Sequence, residues 1–213
     1  MNNLKKKKAL IFDFDGTVVD SMTRLIDVAG LVIAKYFGIS NEEAKRLYRL
    51  TSGLPFNEQL AGLYPAHPNR DEAANEFETT KVETYFEEPL FSDALETLFD
   101  LKSKNYFLAV SSSNYQHLVE AFVAKKKLPF DLALGWKPNF GKGAPHFQFI
   151  QEETRLARDE MIFIGDSLKD GERAFNFGVD FIGKAGTFTP EQFSEAFPGL
   201  NTIKNLAELK TIF

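Results

Sequence analysis

The sequence has no cysteine, and its 213 residues include only three histidines and one tryptophan. A chain without cysteine forms neither disulfides nor thiolate metal sites, and it cannot use a thiol as a nucleophile. The histidines, His67, His117 and His146, are isolated in the sequence and lack the spacing of metal ligands. We therefore assign them surface or core roles.

The chain also lacks an excess of positive charge. Its formal net charge is −5, whereas nucleic-acid-binding domains usually present a dominant basic patch. We therefore expect no nucleic-acid partner. The one basic cluster, residues 5–8, precedes the first apolar run, and we interpret it as a solvated leader.

Long hydrophobic runs are missing as well. Only residues 9–12 are apolar between the lysine cluster and Asp13, whereas a signal peptide needs an apolar region of about seven or more residues. No stretch approaches the roughly 20 apolar residues of a transmembrane helix. We therefore predict a cytoplasmic protein without a membrane partner, and a monomer by default.

From residue 92 onward the pattern alternates between helix and strand. The predicted helices are 93–104, 116–126, 145–155, 168–177 and 206–211, and the predicted strands are 107–110, 131–134, 161–164, 179–182 and 202–203. Such alternation indicates right-handed crossovers and a doubly wound, parallel sheet. We predict a Rossmann-like α/β core domain that comprises residues 1–20 and 89–213. The 22 phenylalanines predict a bulky aromatic interior.

The segment 21–88 shows helical spacing throughout and no strand pattern. Predicted helices cover 24–37, 41–50, 57–63 and 70–86, and Ser40 with Glu43 forms a capping box before the second of them. We therefore predict a separate, all-helical domain over residues 21–88.

Polar side chains follow the predicted strands where each strand ends. Asp13 and Asp15 follow a four-residue apolar run and share one face of an extended chain, while Ser111 and Asp166 follow two later strands. In open α/β sheets the ligand binds outside the carboxyl ends of the strands. Oxygen ligands of this kind suit Mg²⁺, which also binds substrate phosphate, so the pattern indicates phosphoryl transfer.

Four segments, in chain order, resemble the motifs of the haloacid dehalogenase-like hydrolases. Residues 13–21 are similar to the first motif, D-x-D-G-T-x-x-D-S, and Ser111 to the serine or threonine of the second. Lys142, three residues before Pro145, resembles the lysine of the third motif, and residues 165–170 resemble the fourth, G-D-S-x-x-D.

The resemblance extends to domain organisation. The helical segment 21–88 lies where the family's helical-cap subgroup, which includes phosphoglycolate phosphatases and β-phosphoglucomutases, inserts its cap domain. We therefore interpret this segment as a cap.

The resemblance implies a phosphatase that hydrolyses a small phosphorylated metabolite through an aspartyl-phosphate. Asp13 would be the nucleophile, and Asp15 would act first as general acid and then as general base. Mg²⁺ would be the cofactor, held by Asp13, the backbone carbonyl of Asp15, and Asp166.

Three further residues would bind the phosphoryl group by the same resemblance. Ser111, Ser112 and Lys142 would contact its oxygens, and Asp170 would orient Lys142 or a metal-bound water. Ser167 and Asp170 also form a capping pattern for the following helix.

Several assignments have competitors. Lys137 competes with Lys142 for the third motif, and Gly143 stands where the subgroup often has proline. Ser112 and Ser113 compete with Ser111. A phosphomutase of the β-phosphoglucomutase type would use the same core residues, and a catalytically inactive binding protein on this scaffold is the alternative from another class.

Substrate specificity would come from the cap. The loop 51–55 lies between two predicted helices, and Gly53 allows close approach of its backbone to a ligand. We expect Gly53, together with Arg49 at the end of the preceding helix, to contact the part of the substrate beyond the phosphate.

Overall fold

The computed structural model describes residues 4–213, and the chain divides into two compact units. The first contains the N-terminal residues up to Val19 together with Leu90–Phe213, and the second is the intervening segment Asp20–Pro89. Each unit has its own cluster of buried apolar side chains. The predicted core domain begins at residue 1, and its first three residues lie outside the described part of the chain.

A six-stranded parallel sheet forms the centre of the first unit. Its order is β3-β2-β1-β4-β5-β6. The strands are β1 Ala9–Phe12, β2 Phe107–Tyr115, β3 Leu132–Trp136, β4 Met161–Gly165, β5 Asp180–Lys184 and β6 Thr202–Ile203. Every residue of β1 is fully buried, as expected for a strand covered on both faces of a parallel sheet. The predicted doubly wound α/β fold is confirmed.

Helices of the first unit lie between these strands, and a last helix follows the final strand. They are α5 Ala94–Ser103, α6 Gln116–Lys126, α7 Ala144–Thr154, α8 Leu168–Phe177, α9 Pro190–Ala196 and α10 Leu209–Ile212. The prediction missed α9. The sequence does contain signals for the start of α9: Thr189 and Gln192 form a capping box, and proline is the first residue of the helix.

The end of β2 differs from the prediction by five residues. The strand was expected to end at Val110 but continues to Tyr115. Pairing with β3 is interrupted after Ser111 and resumes where Tyr115 meets Trp136. Because serine and asparagine are weak strand formers, neighbouring strands, rather than local propensity, keep this segment extended.

Phenylalanines are among the largest fully buried side chains of the interior, as the phenylalanine content predicts. Phe147 packs edge-on against Phe163 with ring centroids 5.1 Å apart, and Phe14 packs likewise against Phe122 at 5.0 Å. All four rings are fully buried. Phe14 therefore points into the core, which turns its neighbours Asp13 and Asp15 away from it.

The second unit consists of helices, and no strand occurs among its residues. Its α-helices are α1 Met22–Phe37, α2 Asn41–Leu50, α3 Phe56–Leu63 and α4 Arg70–Glu83. Ser40 caps α2 by accepting a hydrogen bond from the Glu43 N–H at 3.2 Å, as predicted. Helix α4 ends earlier than predicted, and a separate 3-10 turn, Tyr85–Glu87, follows it.

The basic cluster before β1 is not simply a solvated leader. Lys7 is buried, its ammonium lies 2.5 Å from the Asp180 carboxylate, and it donates to the Asp159 carbonyl at 2.7 Å. The interpretation of residues 5–8 as solvated is therefore wrong for Lys7, because the folded sheet brings Asp180 beside it.

Within residues 4–213, no helix has the length and apolar character needed to cross a membrane.

Candidate active site

Strand pairing places the first aspartate of the chain beside the end of β4. Phe12 is in register with both Val110 and Ile164, and the Asp13 N–H donates to the Ile164 carbonyl at 2.8 Å. Asp13 therefore leaves the sheet at the same level as Ser111 and Gly165, which follow Val110 and Ile164 in their strands.

Three buried carboxylates meet at this edge of the sheet. Asp13, Asp166 and Asp170 each offer an oxygen, and these oxygens all lie within 4.8 Å of one another. Asp166 follows β4 directly, while Asp170 is in the first turn of α8, where Ser167 accepts a hydrogen bond from its N–H at 3.1 Å. The predicted capping role of Ser167 is thus present in the structure.

Lys142 is the ammonium at the centre of this cluster. Its Nζ lies 2.6 Å from Oδ1 of Asp13 and 2.6 Å from Oδ1 of Asp170, and its side chain is nearly inaccessible to solvent. The competing Lys137 lies elsewhere: its backbone pairs with Phe140, and its ammonium lies 4.5 Å from the centre of that ring.

Gly143 allows the chain to turn between Lys142 and α7. Its φ of +110° belongs to a region that residues with a side chain rarely adopt. A β-carbon at this position would also approach the Arg173 side chain to 3.1 Å. Proline, whose ring fixes φ near about −65°, could not adopt this conformation.

The cluster is short of positive charge. Lys142 contacts two of the three carboxylates, and Arg173 lies 3.6 Å from Oδ1 of Asp170, which gives at most two positive charges against three negative ones. Asp170 illustrates the deficit: it is completely buried, yet neither of its oxygens receives a hydrogen bond of good geometry within the described residues, although Lys142 is near.

Burial and mutual repulsion shift the pKa values in the cluster. Desolvation, followed by the charges of Asp170 and Asp166, outweighs the attraction of Lys142 and raises the pKa of Asp13 well above its usual value. Desolvation and the Asp170 charge raise the pKa of Asp166 to about 6. Burial alone would lower the pKa of Lys142, but Asp13 and Asp170 outweigh it and raise that pKa.

A hard divalent cation fits this arrangement. It would supply the positive charge that the buried carboxylates lack, and carboxylate oxygens are its preferred protein ligands. The carboxylate of Asp15 is not part of the three-carboxylate group. Its predicted contribution is the backbone carbonyl, and that contribution stays a prediction.

Asp15 is held from the end of β2 by a residue that the sequence analysis did not identify. Asn114 donates from Nδ2 to Oδ2 of Asp15 at 2.7 Å, and the Asn114 N–H donates to the hydroxyl oxygen of Ser112 at 3.0 Å. An asparagine three residues after the serine motif was the available signal. Asn114 does not cap the following helix: Tyr115 precedes α6, and no side chain caps it.

Ser111 contacts a second residue that sequence reasoning missed. Its hydroxyl lies 2.8 Å from Nδ1 of His146, and both residues are fully buried. The expectation of a surface or core role for His146 captured its burial but not this contact. Nothing in the sequence brings residues 111 and 146 together, because they meet only when α7 packs beside β2.

Two further contacts complete the edge. Thr187, which follows β5, donates a hydrogen bond to Oδ2 of Asp166. The buried Lys184 donates to the Gly16 carbonyl at 3.0 Å, and its ammonium lies 3.5 Å from the centre of the Phe91 ring. The end of β5 and the segment after it thus fix the turn after Asp15 and the carboxylate of Asp166, respectively.

The predicted specificity loop belongs to the second unit and is internally well ordered. Thr51 donates to Oε1 of the buried Gln59 at 2.7 Å, and Nε2 of Gln59 donates to the Leu54 carbonyl at 2.9 Å. Gly53 has a φ of +94°, and Arg49 is exposed. The contact of Gly53 and Arg49 with a substrate stays a prediction.

Comparisons with known proteins agree on one family. The profile of the haloacid dehalogenase-like hydrolases matches residues 10–184. A phosphoglycolate phosphatase from Synechococcus elongatus is 26% identical over 190 residues, which cover 87% of each chain. A Dickeya dadantii protein named "Probable phosphatase IndB" is 29% identical over 205 residues, which cover 90% of this chain and 87% of the relative.

A solved structure shows the same fold. A haloacid dehalogenase-like family hydrolase from Streptococcus pneumoniae superposes with a TM-score of 0.79 at 23% identity, over 98% of this chain and 100% of the other. The profile match covers most of the present chain, so the predicted family membership is confirmed.

Proposed function

The chain belongs to the haloacid dehalogenase-like hydrolase family, and from this premise we propose that it is a Mg²⁺-dependent phosphatase of small phosphorylated metabolites. The observation that carries the proposal is the buried group of Asp13, Asp166 and Asp170 around Lys142. Uncompensated buried carboxylates cost several kcal/mol each. If the site binds a cation together with an anionic ester, the cation compensates these buried negative charges, which explains why the carboxylates are present.

Asp13 is the proposed nucleophile. One of its carboxylate oxygens forms a bond to phosphorus while the bond from phosphorus to the ester oxygen breaks. Lys142, 2.6 Å from Oδ1 of Asp13, favours the ionised form that the attack requires. Lys142 thus opposes the burial that raises the pKa of Asp13.

Asp15 is the proposed general acid and base. In its protonated form it gives a proton to the departing alkoxide, which leaves as an alcohol. The resulting carboxylate then takes a proton from the water whose oxygen attacks phosphorus and releases Asp13. Asn114 supports these steps because it holds Oδ2 and so fixes the orientation of the carboxyl group.

The phosphoryl group is proposed to lie beside the end of β1 and the second half of β2. Lys142 and the hydroxyls of Ser111 and Ser112 are the side chains assigned to its oxygens. Asp13, Asp166 and the backbone carbonyl of Asp15 would hold Mg²⁺. When bound, the ion neutralises charge on the transferring group.

Asp170 is proposed to act through Lys142. Its Oδ1 lies 2.6 Å from the ammonium, so it fixes the position of Lys142. Because its oxygens also lie within 4.8 Å of those of Asp13 and Asp166, it adds negative charge beside the ion as well.

The first experiment measures hydrolysis of p-nitrophenyl phosphate with MgCl₂ and with EDTA. We expect turnover only with Mg²⁺, and we expect Asp13→Asn to reduce kcat by at least about a thousandfold. Asp71→Asn, an exposed change on α4, is the matched control and should keep full activity. A rate for Asp13→Asn within about tenfold of the parent would exclude Asp13 as the nucleophile.

A screen of phosphorylated metabolites then addresses the substrate. Phosphoglycolate belongs in it because the cyanobacterial relative is named for that substrate, and hexose phosphates test the phosphomutase alternative. A phosphatase releases inorganic phosphate, whereas a mutase yields an isomeric phosphate ester without releasing it. Residence in the cytoplasm and the monomeric state stay predictions from the sequence.

A further inference from the structure

The contact between Ser111 and His146 extends into a chain of three groups. The Ser111 hydroxyl lies 2.8 Å from Nδ1 of His146, and Nε2 of the same ring lies 3.1 Å from the Gly135 carbonyl oxygen. Ser111 and His146 are completely inaccessible to solvent. Both nitrogens of the imidazole are therefore paired with groups of the protein itself.

Chemistry fixes the tautomer of this ring. A carbonyl oxygen only accepts hydrogen bonds, so Nε2 of His146 carries a proton and donates it to Gly135. In a neutral imidazole the other nitrogen, Nδ1, is then bare. The hydroxyl of Ser111 must donate to it, and this uses the single proton that a serine hydroxyl has.

The surroundings keep the ring neutral. Desolvation, together with the charges of Lys142, Arg173 and Lys137, lowers the pKa of His146 from 6.5 to about 3, although the bond to Gly135 acts in the opposite direction. At pH 7 only about one ring in ten thousand would carry a second proton.

A phosphoryl oxygen competes with His146 for the same proton. An anionic oxygen also only accepts, so Ser111 can bind it by donation only after giving up its bond to Nδ1. We propose that His146 is a positioning residue, whose Nδ1 accepts the hydrogen bond of the Ser111 hydroxyl in the ligand-free protein and loses that bond when the hydroxyl donates to the oxyanion of the bound ester. This inference rests on the proposed phosphatase function, since it concerns the serine assigned to the phosphoryl group.

This exchange of hydrogen bonds limits what Ser111 contributes to the affinity for an oxyanion. Each time an oxyanion binds, the bond from Ser111 to His146 is exchanged for a bond from Ser111 to the ligand. The serine therefore adds little to the affinity while His146 is present. Without the acceptor at Nδ1, the same hydroxyl would add a full hydrogen bond.

The tautomer is tested by NMR on protein labelled with ¹⁵N at histidine. The sequence has only three histidines, and the signals of His146 are those missing in His146→Phe. In the empty protein at pH 7 we expect a protonated Nε2 and a bare, hydrogen-bonded Nδ1. A proton on Nδ1, with or without one on Nε2, would overturn the proposal.

The transfer of the hydroxyl is tested by adding sulfate with MgCl₂. Sulfate is a tetrahedral dianion with no proton to give at pH 7. When sulfate binds, we expect the Nδ1 signal of His146 to move to the chemical shift that it has in the Ser111→Ala variant without sulfate, while the ring stays neutral. Ser113→Ala is the matched control and should respond to sulfate as the parent does.

A double-mutant cycle gives a second readout. Ser111→Ala should weaken sulfate binding by about 5- to 150-fold more in the His146→Phe background than in the parent. Equal effects of Ser111→Ala in both backgrounds would contradict the proposal.

The outcomes also separate this inference from the proposed function. If sulfate shifts the backbone amides of Ser111 and Ser112 but leaves Nδ1 of His146 unchanged, the inference is wrong and the oxyanion site stands. If sulfate shifts neither the amides nor the ring, the oxyanion site itself is wrong, and the inference falls with it.

Discussion

Replacing Asp166 by asparagine should stabilise the metal-free protein. Asp166 is buried beside two other carboxylates, and its pKa rises to about 6 from an ordinary value of 3.8. A difference of about two units means that its ionised form costs the folded state about 3 kcal/mol at pH 7. Asparagine has no charge to desolvate, and its carbonyl can still accept from Thr187, as Asp166 does.

The pH dependence of this gain follows from the direction of the shift. Because the folded state holds the Asp166 proton more tightly than the unfolded state does, the parent loses this contribution as pH rises from about 4 through 6. The variant has no such group. Its advantage should therefore be greatest above pH 7 and absent below about pH 4.

Thermal unfolding in EDTA measures the effect. For a chain of this size about 3 kcal/mol corresponds to a Tm increase of roughly 6–12 °C. Asp71→Asn, which is exposed on α4, should leave Tm unchanged. Added MgCl₂ should stabilise the parent by mass action but have little effect on Asp166→Asn, which lacks one of the proposed metal ligands.

A destabilised Asp166→Asn in EDTA at pH 7 would refute the reasoning. It would mean that the attraction between Asp166 and Lys142 exceeds the combined cost of burying the carboxylate and placing it near Asp13 and Asp170. If Asp166→Asn stabilised the protein equally at pH 4, the ionised carboxylate of Asp166 could not be the source of the stability difference.

Three further predictions concern other residues. Because the pKa of His146 falls to about 3 from 6.5, the unfolded state takes up a proton at higher pH than the folded state does, and the free energy of unfolding should fall between about pH 6.5 and pH 3. Urea unfolding of His146→Phe should show a weaker dependence of that free energy on pH in this range, and an unchanged dependence would contradict the burial of a neutral ring. In single-turnover experiments, Asp15→Asn should slow phosphorylation of the enzyme at least about a hundredfold when an alkyl phosphate is the donor, and much less with p-nitrophenyl phosphate, because a good leaving group needs little protonation. Equal losses of rate with both substrates would exclude Asp15 as the acid. Gly53→Val and Arg49→Ala should change kcat/KM for the best metabolite several-fold and leave turnover of the aryl phosphate unchanged, since remote contacts help only substrates that reach them. Parallel effects on both substrates would show that the loop does not determine specificity.

The sequence alone identified two central strands of the sheet and the polar residues that follow them. Buried parallel strands are nearly continuous apolar runs, so residues 9–12 and 161–164 identified β1 and β4, and the first polar residues after them, Asp13 and Asp166, lie together in the structure. Local signals also identified the helix start at Ser40. These features depend on neighbours in the chain, which a sequence displays.

Tertiary structure decided the contacts between distant segments. Neither local spacing nor hydrophobic pattern relates His146 to Ser111, or Asn114 to Asp15 ninety-nine positions away. The extension of β2 to Tyr115 likewise depends on β3 beside it, and the burial of Lys7 depends on Asp180. Hydrogen-bond partners and pKa values are set by which groups burial brings within about 3 Å of each other, and only the folded chain determines that.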